Sequence, residues 1–117
     1  MNEKDIEYLR HISDEIDFLF AQCENLTFRD LTDNDVLQRA SVRSLEVIGE
    51  AVKNLSDDYK EQHPSVEWKK IAGFRDILIH HYFGIDLKVV WDVIKRKLPL
   101  LEKVVKTSIK GMADSNA

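Results

Sequence analysis

Apolar positions along this chain fall into stripes at steps of three and four. Ile6, Leu9, Ile12, Ile16, Leu19 and Cys23 form the first stripe and predict a helix from about Lys4 to Cys23 with one buried face. From Asn25 to Asn34 the pattern lapses. Thr27, Asp30, Thr32, Asp33 and Asn34 are turn formers, and the segment reads as a loop. A second stripe, Leu37, Leu45, Ile48, Val52 and Leu55, predicts a helix over about Asp35 to Leu55, with Asp33 or Asn34 capping its free N–H groups. Gly49 lies inside that helix at a cost of ~1 kcal/mol relative to alanine, and close approach of a second helix is the simplest reason for it. Ser56, Asp57 and Asp58 end the element or begin a short helical turn.

His63-Pro64-Ser65 marks the next boundary, since the residue before a proline avoids helical angles and Ser65 is a good N-cap. A third helix is predicted over about Val66 to Tyr82, with Gly84 as its stop. Asp86 can cap a fourth over about Leu87 to Ile109, where Leu87, Trp91, Ile94, Leu98, Leu101 and Val105 resemble a bundle seam. Pro99 should kink or split it, leaving the count at four or five helices. The tail from Gly111 to Ala117 is expected to be disordered. The predicted fold is therefore all-α: an up-and-down antiparallel helical bundle, one domain over residues 1–110.

Composition agrees with that picture. A chain of 117 residues is too short for two cores, and 4 Gly and 2 Pro are too few for a small β-sandwich. A single cysteine forms no internal disulfide. Met1-Asn2-Glu3-Lys4-Asp5 lacks the apolar core of a signal peptide, and the run Phe18-Leu19-Phe20-Ala21 falls far below the ~18 residues that span a bilayer. The expected location is cytoplasmic.

Charge changes the picture more. A net −4 argues against a nucleic-acid partner. Yet residues 1–67 carry 7 Lys+Arg against 16 Asp+Glu, a balance of −9, and residues 68–110 carry 10 against 4, a balance of +6. Either these are solvated helix faces, or the second segment offers a local positive field. The aromatic residues Trp68, Phe74, Tyr82, Phe83 and Trp91 crowd the same stretch, as core or as part of a dimer face.

That stretch also holds the candidate chemistry. Phe74-Arg75-Asp76-Ile77-Leu78-Ile79-His80-His81-Tyr82 sets Arg, four residues, His, one residue and Tyr near a predicted helix end. Arginine binds phosphate oxygens bidentately, histidine titrates near neutrality, and tyrosine can stack, hydrogen-bond or act as a nucleophile. Arg75 with His80 and no carboxylate cage suggests metal-free phosphodiester chemistry. The histidine would take the 2′-hydroxyl proton of RNA or protonate the leaving 5′-oxygen, and the arginine would stabilise charge at phosphorus. On one continuous helix, at ~100° per residue, Arg75 and Tyr82 share a face while Arg75 and His80 lie about 140° apart. Either the helix loosens at His80 or the site forms where two copies meet. The bland alternative is a helix end with an ordinary polar cluster.

The sequence resembles the HEPN-domain proteins of the HepT type, the toxin half of HEPN/minimal nucleotidyltransferase toxin–antitoxin pairs. The likeness rests on Arg75, the polar Asp76, His80 and Tyr82, with Ile48-Gly49-Glu50-Ala51 and Trp68 before them and Gly84-Ile85-Asp86 and Trp91 after, and runs from about Val36 to Val105. It implies a helical homodimer with two motifs facing one cleft, and a metal-independent endoribonuclease needing no cofactor, with Arg75 and His80 as the catalytic pair. It further implies an MntA-like nucleotidyltransferase antitoxin that transfers AMP to Tyr82, where bulk and negative charge would exclude RNA.

Neighbouring residues admit two readings each. His81 is auxiliary or a surface residue, and Asp76 orients Arg75, positions water or is merely solvated. Glu50 contacts the cleft or makes a structural salt bridge. Lys69, Lys70, Lys95, Arg96 and Lys97 guide RNA through phosphate contacts or are a solvated face. His11 and His63 are isolated, no Cys/His pattern suggests zinc, and Cys23 on its apolar stripe suits packing. The alternatives to a ribonuclease are a non-catalytic module binding a nucleotide or a nucleotidyltransferase partner, and a helical assembly protein. A small nucleotidyltransferase encoded by the adjacent gene would favour the toxin.

Overall fold

Asn2 accepts the backbone N–H of Asp5 at 2.7 Å and opens α1 (Glu3–Cys23). The computed structural model describes residues 1–74, 76, 84 and 86–115, and these form an all-helical fold. Leu9, Ile12, Ile16, Leu19 and Cys23 of α1 are buried as their spacing predicts. Ile6 is only half-buried. Asp5 is buried in its place, because its carboxylate accepts the Ser56 N–H at 2.8 Å and the Ser56 hydroxyl at 2.6 Å.

The segment expected as a loop contains a helical turn, α2 (Phe28–Thr32). Thr27 Oγ1 accepts the Asp30 N–H at 3.3 Å and Asp30 accepts the Thr27 N–H at 2.7 Å, a reciprocal cap that supports even a five-residue helix. Buried Leu31 anchors it, and the Gln38 amide donates to the Leu31 carbonyl at 2.9 Å. Asn34 then caps α3 (Asp35–Asn54) by accepting the Leu37 N–H at 3.0 Å. α3 packs along α1 through Leu45, Ile48 and Val52.

α4 (Asp57–Glu61) is capped by Ser56, whose oxygen accepts the Tyr59 N–H at 3.2 Å while its hydroxyl serves Asp5. The chain then turns tightly across Pro64 and Ser65, with the Val66 N–H on the His63 carbonyl at 3.3 Å and the Trp68 N–H on the Val66 carbonyl at 3.0 Å. These bonds commit the backbone to a turn, so Ser65 is not the predicted N-cap. α5 (Trp68–Ala72) starts after Glu67 and runs into a turn at Gly73.

Asp86 caps α6 (Leu87–Asp92) as predicted, accepting the Lys88 and Val89 N–H groups at 3.1 and 3.3 Å. The fourth helix is interrupted by a π turn over Val93–Lys97, where the Leu98 N–H reaches the Val93 carbonyl five residues back. Pro99 has no N–H for the carbonyl four residues before it, and the ladder widens immediately ahead of it. The extra residue moves the buried stripe. Val90, Val93 and Ile94 are buried before Leu98, Leu101 and Val105, whereas the predicted seam residues Leu87 and Trp91 are half-buried. α7 (Leu98–Ser115) follows the π turn. Among the described residues, no helix is long and apolar enough to cross a membrane.

Candidate functional site

Gly49 explains how the chain is anchored just ahead of the motif. A Cβ at this position would lie 3.0 Å from the Ile71 carbonyl oxygen, 3.6 Å from that of Ala72 and 3.8 Å from the Phe74 Cβ. The backbone of α5 therefore rests directly on α3, and the expected close approach is present. Ile71 and Phe74 are buried against the core, so the chain is fixed one residue before Arg75. Beyond the motif, Gly84 has φ 114°, a conformation that suits glycine, and Asp86 begins the next helix. The predicted site residues Arg75, His80, His81 and Tyr82 lie outside the described residues, as does Phe83. Asp76 is exposed, and its N–H donates to the Gly73 carbonyl at 3.0 Å.

A second support lies behind α5. The Trp68 indole donates to the His63 and Lys60 carbonyls at 2.9 and 3.1 Å, and its ring meets that of Tyr59 edge-on at 5.8 Å. The Tyr59 hydroxyl pairs with Ser108 Oγ at 2.7 Å, tying this corner to α7. Burial, opposed by the Ser108 bond and reinforced by the Asp5 charge, pushes the Tyr59 phenol above its ordinary value. His63 bonds the Tyr59 carbonyl at 2.9 Å and stacks on its ring at 4.4 Å, which is a packing role.

The candidate RNA-guiding cations are engaged within the molecule to different degrees. Lys69 is exposed on α5. Lys70 pairs with Glu67 at 2.6 Å, and Lys97 reaches the same carboxylate at 3.1 Å. These two ammonium groups hold the Glu67 carboxyl below the usual range. Lys95 donates to the Cys23 carbonyl at 3.1 Å, closing the end of α1, and its charge lies 4.7 Å from the centre of the Trp91 ring. Arg96 pairs with Asp92 at 3.4 Å. The +6 stretch is thus less available to a polyanion than its count suggests. Sequence reasoning missed Glu67. Its spacing to Lys70 was readable, but Lys97 lies 30 residues away.

Glu50 is exposed next to Gly49 and takes the Asn54 amide at 3.4 Å. It lines a groove of about 310 Å³ between α1 and α3 with Tyr8, His11, Arg43 and Glu46. Cys23 is buried, and burial outweighs the pull of Lys95 and raises its thiol pKa, as packing and not nucleophilic use requires. Among the described residues no group of three or more His, Cys, Asp or Glu is arranged to hold a metal ion.

A family model described as Ribonuclease HepT-like matches residues 6–108, spanning both anchors and the motif between them. The chain belongs to the HepT-like family. Among its relatives are "Putative RNase TTE0752" of Caldanaerobacter subterraneus subsp. tengcongensis, 50% identical over 99 residues (85% of this chain, 88% of the relative), and "Putative RNase MJ0127" of Methanocaldococcus jannaschii, 42% identical over 117 residues (96% and 93%). A third, "Probable ribonuclease HepT" of Thermococcus cleftensis, is 38% identical over 96 residues (82% and 87%). No solved structure matches the chain.

Proposed function

We propose that this chain is an endoribonuclease toxin of a type VII-like toxin–antitoxin pair, acting as a homodimer without a metal ion. Two copies bring two motifs to one cleft, which removes the difficulty of the about 140° between Arg75 and His80 on a single helix. One His80 takes the proton from an RNA 2′-hydroxyl, and O2′ attacks the adjacent phosphorus. The bond from phosphorus to the 5′-oxygen breaks, and that oxygen leaves with a proton from the second histidine. The products carry a 2′,3′-cyclic phosphate and a 5′-hydroxyl. Arg75 stabilises the charge that builds on the phosphoryl oxygens. Asp76 and His81 assist, and Lys69 and Lys70 contact the RNA backbone.

The observation that carries this reading is the HepT-like match over residues 6–108, which encloses the Arg75-Asp76-Ile77-Leu78-Ile79-His80-His81-Tyr82 sequence. Arg75→Ala and His80→Ala should each abolish RNA cleavage and growth arrest. Unmodified protein that cuts no RNA, with both variants as toxic as the parent, would reject it. Neutralisation is the second part. An MntA-like nucleotidyltransferase joins the Tyr82 oxygen to the α-phosphorus of ATP and releases pyrophosphate. Mass spectrometry of co-expressed protein should find AMP adducts on Tyr82 and none on Tyr82→Phe.

A further inference from the structure

Glu67 is the N-cap residue of α5, yet its side chain makes no capping bond. The residues that ordinarily accept a backbone N–H of the first turn from this position are Asp, Asn, Ser and Thr. Here the carboxylate instead lies between Lys70 at 2.6 Å and Lys97 at 3.1 Å, joining α5 to the π turn. The three side chains are 45%, 69% and 38% exposed, respectively. Such solvated pairs add little to stability, so exchanging the carboxylate for another anion costs little.

The position of this triplet matters. Glu67, Lys70 and Lys97 rim a cavity of about 360 Å³ that is also lined by Phe74, the residue before Arg75, and by Arg96. The rest of the lining is mostly apolar, with buried Ile71 and Val93 among it, and its one further carboxylate, Asp92, is paired with Arg96. Two ammonium groups over an apolar hollow, reached by the segment that leads into the motif, suit a phosphodiester whose neighbouring base is turned inward.

We propose that Lys70 and Lys97 are a phosphate-binding subsite for the RNA strand and that Glu67 occupies it as an internal stand-in until the strand arrives. The proposal rests on the ribonuclease reading above. A phosphodiester offers oxygens to the same two ammonium groups, displaces the Glu67 carboxylate and leaves it in water. Glu67 thereby weakens RNA binding without touching the chemistry.

The test measures binding separately from cleavage. A single-stranded RNA with 2′-O-methyl groups cannot be cut, and its affinity for the full-length protein is read by fluorescence anisotropy over a range of salt. Glu67→Gln should bind about threefold tighter than the parent. Lys70→Ala and Lys97→Ala should each bind more weakly and lower the salt slope by about 0.7. Adding both lysine changes to Glu67→Gln should erase its gain. Glu7→Gln, which removes an exposed charge from α1, should leave affinity unchanged. Millimolar inorganic phosphate should not displace the oligonucleotide; if it does, the subsite takes small anions and the RNA assignment fails. No gain from Glu67→Gln, an equal gain from Glu7→Gln, or a gain that survives loss of both lysines overturns the proposal. The ribonuclease reading fails separately, when cuttable RNA remains intact with the parent protein whatever the affinities.

Discussion

Between α1 and α3 the contact is a dry stripe of Leu9, Ile12, Ile16, Leu45, Ile48 and Val52. The corner formed by α4, α5 and the start of α1 is held instead by particular polar atoms: Asp5 on Ser56, Tyr59 on Ser108, and the Trp68 indole on two carbonyls. An apolar stripe tolerates small shifts, because its attraction follows area. A hydrogen-bonded corner does not, because each buried group needs its own partner. The helix that carries the chain into Arg75 starts from the second kind of structure and leans on the first at Gly49. Its position is therefore set more sharply than its five residues could set it alone.

The contrast can be broken in graded steps. Leu45→Ala cuts the dry stripe and should cost about 3 kcal/mol in urea unfolding; a loss under about 1 kcal/mol would mean the stripe is not the main support. Asp5→Ala strands the Ser56 N–H and hydroxyl and should cost about 2 kcal/mol, with Asp5→Asn recovering part of it; equal losses from the two variants would deny the carboxylate its double role. Gly49→Ala presses a methyl to 3.0 Å from the Ile71 carbonyl while gaining helix propensity, for a net cost of about 1 kcal/mol. RNA cleavage should fall by more than stability does, and unchanged cleavage would uncouple α3 from the site.

Tyr59→Phe loses the Ser108 bond and should cost about 1 kcal/mol near neutrality. Its pH dependence is distinctive. Because the folded phenol titrates above its ordinary 10.0, this contribution is complete below that value and is lost as pH rises through the higher folded one. The parent should therefore lose more stability than Tyr59→Phe as pH rises above about 10, and parallel curves would contradict the burial argument. Lys106→Ala removes an exposed pair with Asp17 and should change stability by no more than about 0.5 kcal/mol.

The two regions also differed in how far they could be read from residues. The α1 stripe was legible from Leu9 to Cys23 because burial there follows helical period alone. Gly49 was legible because its cost demanded a close neighbour. Asp5 was not, since a carboxylate is buried only where a partner waits, and that partner is 51 residues away. α2 was hidden because Thr27 and Asp30 form a capping pair from residues that equally suit a turn. Ser65 misled because the Pro64 turn consumed it. Of the candidate site, the Arg75–His80–Tyr82 pattern could be read directly, whereas the Glu67–Lys97 bridge depends on how the π turn aims its side chains.

That π turn acts as a phase shifter. α6 and α7 each keep the ordinary helical rhythm, but the added residue between them offsets one rhythm from the other by about 100°. Deleting a single residue from 93–97 would close the offset and swing Leu98, Leu101 and Val105 out of the core together. A chain that tolerates many single substitutions on α7 should thus be intolerant of that one deletion, whichever residue is removed.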